Sequence, residues 1–400
     1  MSNQTVVVIG GGVIGLSTAY QLARQGVGQV ILLEKERVGD GASSRAGGII
    51  TGLLWTEAGV AARQIALRLY RELSAELGPY GYQFNAVGCL NLFDAPSWQE
   101  REPLLALYDQ LGVAYELMNA ATMMQRWPAL QLPPDIVGLF DPLGGYSEPA
   151  AYLPALARRC AELGVEIREG TLVQGLLTSG GRVTAVQTAA GAIAVDQVIS
   201  TVHVWTLRLL ANLGYQLPIK SFVHQRYVTR PLALPPDLPA VNANPYGGYF
   251  RPATGGRLLV GGETAERIEF PAPELAFRMA GLAAPAGLPD QLRADIQPIL
   301  PALAGTVWES EEVGLLSFSL DGEPILGPVP GLENLLVGCA FHSGGFAYNP
   351  VAGLLLAELA AGKTPGINIA SFAPARYGQA ETAAYLAQTL AQKDAIQRRH

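Results

Sequence analysis

Cysteine is scarce in this 400-residue chain: Cys89, Cys160 and Cys339 are far apart and odd in number. No CxxC pair and no Cys/His ligand spacing is present, so neither a zinc module nor a disulfide framework is expected, and no metal site. A reduced, cytoplasmic setting fits that count. Charge is sparse as well, at 15% of residues, with 27 Lys and Arg against 34 Asp and Glu, or 27 − 34 = −7. The basic residues form no block, which argues against a nucleic-acid partner. Long apolar runs are missing too. The most apolar late stretch, 351–361, carries Glu358 and falls short of the ~20 residues a membrane span needs. No signal segment is expected ahead of the first strand. What remains is a chain that is 49% apolar and long enough for two cores.

Residues 5–10 form a β-branched run, the pattern of a strand buried on both faces of a parallel sheet. Residues 13–25 read as a helix ended by 26–28, and 30–33 as a second buried strand. Together they make a βαβ unit of about thirty residues. A Gly/Ser-rich loop covers 39–48. Residues 59–77 then carry Ala62, Ile65, Ala66, Leu69, Leu73 and Leu77 at helical spacing, stopped by Gly78-Pro79. From 82 to 149 short apolar runs such as 89–93 alternate with Pro and Gly clusters, with helical stretches near 99–111 and 120–127.

Alternation of helix and buried strand resumes at 150: helix 151–163, strand 165–168, strand patterns at 171–178 and 183–188, and an apolar strand at 197–201. Residues 216–320 are strand-like, with a hairpin of 248–252 and 257–262 around Ala253-Thr254-Gly255-Gly256. A strand at 334–338, a glycine-rich loop and an Ala/Leu helix at 351–361 follow. The expected class is α/β (α+β overall), with two discontinuous domains. Residues 1–80, 150–206 and 320–375 form the first, and 81–149 and 207–319 a second, mainly antiparallel one; 376–400 is a C-terminal extension.

Gly10-Gly11-Gly12-Val13-Ile14-Gly15 contains G-x-G-x-x-G between the first strand and its helix. Gly10 serves the tight turn, Gly12 the backbone approach to a pyrophosphate, and Gly15 the helix-to-strand packing. Val13 and Ile14 open the helix, whose free N–H groups and partial positive charge suit that anion. Glu34 ends the second strand, where a carboxylate accepts ribose hydroxyls; an acid there argues against an NADP 2′-phosphate. A Rossmann-like dinucleotide-binding domain is expected.

In an NAD enzyme further βα units would follow directly. Here Glu34 leads into Lys35-Glu36-Arg37-Val38-Gly39-Asp40-Gly41-Ala42-Ser43-Ser44-Arg45-Ala46-Gly47-Gly48. This polar, glycine-rich stretch resembles that of the D-amino-acid oxidase superfamily of FAD-dependent oxidoreductases, near its glycine oxidase and sarcosine oxidase β-subunit group. The resemblance implies that Lys35, Ser43, Ser44, Arg45, Ala46, Gly47 and Gly48 contact the pyrophosphate and run beneath the isoalloxazine. Asp321-Gly322-Glu323-Pro324-Ile325-Leu326-Gly327 resembles the family's DGxPxxG segment, and Gly338-Cys339-Ala340-Phe341-His342-Ser343-Gly344-Gly345-Phe346 its closing flavin loop. Gly344, Gly345 and Phe346 would there bring N–H groups to the flavin O2 edge. Val173 and Thr201 complete the implied FAD-binding set. The resemblance covers roughly 1–375.

Departures from the family pattern bear on substrate and attachment. Relatives that bind flavin covalently use a Cys near the start of DGxPxxG or a His after the central Gly-Gly. This chain has Gly314 and the 146–148 neighbourhood there, so non-covalent FAD is expected. Glycine oxidase-like members keep a carboxylate-binding Arg where Gly314-Leu315-Leu316 stands, and monomeric sarcosine oxidase-like members a Lys near Ala347. Strand alternation puts Tyr249 and Arg251 on one face. Tyr249 matches a tyrosine that resembling enzymes point into the site. Arg251 is either the replacement carboxylate ligand or the partner of a surface acid. Glu263 falls where sarcosine oxidase-like sequences have an active-site His; it either holds a cationic amine or is a solvated strand-end acid. Among the histidines, His342 in the closing loop is best placed, ahead of His203 and His224.

The activity implied is oxidation of a C–N bond in a small amine or amino acid. Hydride passes to flavin N5, the imine is hydrolysed, and O2 or a carrier reoxidises the flavin. Two alternatives stay open: a 2-hydroxy-acid or polyol dehydrogenase on the same fold, and a flavin-binding subunit of a hetero-oligomeric dehydrogenase. A homo-oligomer and a partner subunit are both compatible with the sequence.

Overall fold

The β-branched run at the start of the chain forms strand Thr5–Ile9, inside a six-stranded sheet. The order across that sheet is Ile325–Pro328, Leu335–Cys339, Gln197–Ser200, Thr5–Ile9, Gln29–Leu33 and Glu166–Arg168. All neighbours are parallel except the first pair. In this computed structural model residues 4–235, 237–262 and 268–395 are described.

Period-2 alternation explains why the strand has no polar face. Val6 and Val8 point into a core shared with helices Val13–Arg24, Pro149–Glu162 and Gly345–Ala360. Val7 and Ile9 point the other way, onto Val173, Val183 and Val186 of a three-stranded antiparallel sheet. Burying a valine or isoleucine this fully is worth about 1.5–3 kcal/mol each.

The second sheet has eight strands in the order Trp308–Ser319, Ile219–Thr229, Arg257–Gly262, Gly248–Ala253, Ala240–Ala243, Cys89–Phe93, Val137–Asp141 and Glu116–Asn119. Every pairing is antiparallel except Ala240–Ala243 with Cys89–Phe93. A parallel-rich sheet joined to a mainly antiparallel one agrees with the expected class.

Local differences have local causes. Residues 216–320 are not uniformly strand-like: Leu288–Ile296 is a helix, with Leu288, Leu292 and Ile296 buried at i, i+4 spacing. The late helix begins at Gly345, not at 351. Pro350 conceals that start, because it cannot donate to the carbonyl four residues back. That carbonyl, on Phe346, accepts instead from the Tyr70 hydroxyl and the Asn349 amide. The C-terminal segment forms helix Gln379–Leu386 and an antiparallel bridge from Ala391 to Ile268. Among the described residues no helix is long and apolar enough to cross a membrane.

Candidate active site

Strand Thr5–Ile9 runs into Gly10, whose φ of +103° is a region side chains rarely adopt. A Cβ on Gly15 would stand 1.8 Å from the Gly10 carbonyl oxygen, so the helix meets the strand end only with glycine there. At Gly12 a Cβ would lie 3.1 Å from Ser43 Oγ. The helix has no acid in its first turn and no capping side chain on Gly12; its Val13 N–H donates to Ser43 Oγ at 2.8 Å. The Glu34 carboxylate accepts from Gly11 N–H at 2.7 Å and Glu36 N–H at 2.9 Å. Burial holds its pKa above the ordinary value, an effect those two N–H groups only partly offset. Each of its oxygens accepts one of these bonds and retains capacity for another.

These groups line one continuous cavity of about 820 Å³ that reaches the closing loop. Every residue of the expected cofactor set lines it except Gly15 and Ser44. Gly15 lies behind the turn. Ser44 uses its carbonyl to accept from Arg226 at 2.9 Å, which ties the loop to the second sheet. Arg45 donates to its own loop at Gly41 O, 2.9 Å, and packs across Gly314. Lys35 stands 3.7 Å over the Trp205 ring, and burial brings its pKa down to about 8.

The substrate-sheet wall comes from the hairpin. Gly47 is the seat for Tyr249, since a Cβ there would meet Tyr249 Cε2 at 2.7 Å. The Tyr249 hydroxyl lies 3.0 Å from His224 Nε2, with the two rings stacked at 5.9 Å. Two residues on, Arg251 faces the same loop, as alternation requires, and donates Nε to Gly47 O. It does not line the cavity. Its other two nitrogens meet the Glu148 oxygens at 2.9 and 3.0 Å, and its guanidinium lies 4.6 Å from the Tyr146 ring. Of the two readings of Arg251, the carboxylate-ligand one is therefore corrected: the guanidinium is fully buried and already engaged. Glu263 lies outside the described residues.

His342 and His203 both line the cavity, and both adopt positive φ, +56° and +50°. His342 Nε2 is 3.2 Å from Ser319 Oγ, and His203 Nε2 is 3.2 Å from Ser317 Oγ. The two serines are alternate residues of strand Trp308–Ser319, so they share a face. Burial takes the His203 pKa down to about 4. Cys339, also on the cavity wall, has its thiol pushed up to about 12 by burial.

Sequence reasoning passed over Trp55, Arg63, Asn91 and Asn242, which line the same cavity. Asn242 Nδ2 donates to Asn91 Oδ1 at 2.8 Å. A signal was present: Arg63 interrupts the buried stripe Val60, Ala66, Leu67, Tyr70 of helix Glu57–Leu77, and Asn91 interrupts the fully buried run Cys89–Phe93.

A Cβ-intolerant turn with a carboxylate at the next strand end, opening into a cavity walled by an antiparallel sheet, is the geometry of a dinucleotide-binding protein. The chain belongs to the D-amino-acid oxidase type (DAO) family of FAD dependent oxidoreductases, whose sequence model matches residues 5–359. It is 30% identical over 387 residues to glycine oxidase of Pseudomonas putida, covering 94% of this chain and 99% of that protein. It is also 30% identical over 369 residues to 4-methylaminobutanoate oxidase (formaldehyde-forming) of Paenarthrobacter nicotinovorans. That match covers 90% of this chain but 44% of the relative, so the chain spans less than half the relative's length. Among solved structures, L-proline dehydrogenase from P. horikoshii superposes with a TM-score of 0.86 at 25% identity, over 95% of this chain and 99% of that one. The protein is thus an FAD-dependent enzyme of the amino-acid and amine oxidase or dehydrogenase kind.

Proposed function

We propose that this chain oxidises the C–N bond of a small amine or amino acid, with FAD held non-covalently. The observation that carries the reading is the single cavity running from Glu34 to Gly344, with Tyr249 and His224 on its second-sheet wall. The glycines at 10, 12 and 15 and the Ser43 hydroxyl, held at the helix start by the Val13 N–H, fit a pyrophosphate, and the Glu34 carboxylate fits a ribose. The bound flavin supplies the hydride acceptor. Glycine oxidase and 4-methylaminobutanoate oxidase are named for substrates in which a carbon bearing nitrogen is oxidised, which supports the same class here.

The chain's own part is positional. Tyr249, fixed by Gly47 behind it and His224 beside it, orients the substrate from the sheet side. His342 lines the cavity with its Nε2 on Ser319, and neutral His203 on the neighbouring Ser317 adds no charge. Holding a C–H bond in reacting geometry while excluding water accounts for most of what the protein adds in such chemistry. The raised thiol pKa of Cys339 keeps it unreactive toward the cofactor, which supports non-covalent FAD. The three free, buried cysteines are consistent with a reduced cytoplasmic compartment.

The test is a panel of primary and secondary amines, amino acids and 2-hydroxy acids mixed anaerobically with the FAD-loaded protein while the flavin colour is followed. Bleaching by amines or amino acids is expected. Bleaching by hydroxy acids alone would replace this reading with a hydroxy-acid dehydrogenase.

A further inference from the structure

The deeply buried cations of this fold fall into two groups. Arg251 and Lys220 each meet a carboxylate, Glu148 at 2.9 Å and Glu269 at 2.7 Å. Arg63 and Arg101 are 3% and 2% exposed, and neither has an ion pair among the described residues. Arg101 is caged by the rings of Trp55, Phe93 and Tyr108 and does not line the cavity. Arg63 does line it.

Arg63 projects inward from helix Glu57–Leu77. Its Nη1 donates to the Thr51 carbonyl at 3.3 Å, its guanidinium lies 4.2 Å over the Tyr348 ring and is held by the hydroxyl of that residue, and its Nε has no acceptor among the described residues. Burial lowers its pKa, and the groups that oppose this are Tyr348, Tyr70 and Cys89, none of them a carboxylate. An unpaired buried charge is costly, and a fold that keeps one over a cavity is built for a ligand that brings the counter-charge.

Its place agrees. A Cβ on Gly344 of the closing loop would stand 2.4 Å from Arg63 Nη2, so glycine there makes room for the guanidinium. On another side is Cys89, whose Sγ lies 3.7 Å from Asn242 Nδ2, and Asn242 is bonded to Asn91. Arg63 thus stands between the closing loop and an amide pair on the cavity wall. The positions where relatives keep a cation hold Leu316 and Ala347, and Arg251 is engaged by Glu148.

We propose that Arg63 is the carboxylate anchor of the pocket, so that the substrate is an amino acid and not a simple amine. This rests on the flavin-enzyme reading above and narrows it. The guanidinium takes the carboxylate through two parallel N–H donors, with Asn91 and Asn242 beside it.

The experiment titrates FAD-loaded enzyme with propionate, a carboxylate carrying no amine, and follows the flavin spectrum in wild type, Arg63→Met and Arg63→Lys. Saturable perturbation is expected in wild type. Binding should weaken about a hundredfold in Arg63→Met, and about tenfold in Arg63→Lys, which keeps the charge but not the fork. KM for glycine should rise in parallel, while any residual flavin reduction by methylamine, which carries no carboxylate, should be unchanged. Removing an uncompensated buried charge should leave the Tm of the ligand-free Arg63→Met protein undiminished, whereas a purely structural arginine would lower it. If the Met variant does not fold, Arg63→Lys decides. The proposal is overturned if propionate does not perturb the wild-type flavin, if glycine and methylamine suffer equally, or if the variants lose FAD, which would assign the guanidinium to the cofactor. The propionate titration needs no turnover, so failure of every amine to bleach the wild-type flavin would be read separately, against the enzyme reading.

Discussion

Replacing Arg251 with Leu would leave the Glu148 carboxylate, whose side chain is 19% exposed, without its partner. Breaking one side of a buried pair costs about 3–5 kcal/mol. An unfolding entropy of about 2.1 cal/mol/K per residue over 400 residues gives roughly 0.84 kcal/mol/K, so the Tm should fall by ~4–6 °C. For Glu148, burial works to raise the pKa, but the Arg251 hydrogen bonds and charge bring it below the ordinary value of 4.5. The sign follows from that depression. The pair's contribution is fully present above pH 4.5 and is lost as pH falls through the lower folded value. The deficit of Arg251→Leu should therefore be largest near neutral pH and shrink in acid. Scanning calorimetry across pH checks both the size and the trend. A double variant with Glu148→Gln should lose less than the sum of the single losses. Amino-acid KM values should stay close to wild type, since Arg251 is absent from the cavity wall. An unchanged Tm together with a raised KM for amino acids, but not amines, would refute this placement.

Other outcomes follow from the same site. Glu34→Ala should weaken FAD by about 1–3 kcal/mol, seen as a higher Kd in flavin fluorescence titration; an unchanged Kd would remove the ribose role. His203, neutral in the fold with its pKa lowered to about 4 from 6.5, makes the unfolded chain bind a proton that the folded one refuses. Its contribution is intact above pH 6.5 and declines by up to roughly 3 kcal/mol as pH drops to about 4. His203→Gln should flatten the Tm profile over that window, and an identical slope in the variant would contradict it. Acid precipitation should release the yellow colour into the supernatant, because Gly314 and the 146–148 stretch offer no Cys or His for attachment; colour retained in the pellet would show a covalent bond.

What was legible in the sequence is what the local backbone dictates. The Gly10–Gly15 spacing, the carboxylate at Glu34 and the hairpin around 253–256 each follow from constraints acting over a few residues or one βαβ unit, and each appears in the fold. The start of the late helix did not, because Pro350 breaks the helical signal while Tyr70, far away in sequence, satisfies the freed carbonyl. Arg251 was ambiguous because its partner lies 103 residues away, and no periodicity reports a contact of that range. Arg63 was hidden by its own neighbours: a charge within an apolar stripe reads as a gap in the pattern until the cavity beside it is seen. The order of the eight-stranded sheet, with one parallel pair in the middle, likewise depends on contacts between distant segments.

The most direct measurement is anaerobic stopped-flow reduction of the FAD-loaded protein by an amino acid that bleaches it, with hydrogen or deuterium on the carbon bearing the nitrogen. Oxidation of the C–N bond at a flavin in this cavity predicts bleaching that slows markedly on deuteration, with the imine's hydrolysis products recovered. Bleaching by 2-hydroxy acids and by no amine or amino acid would contradict it.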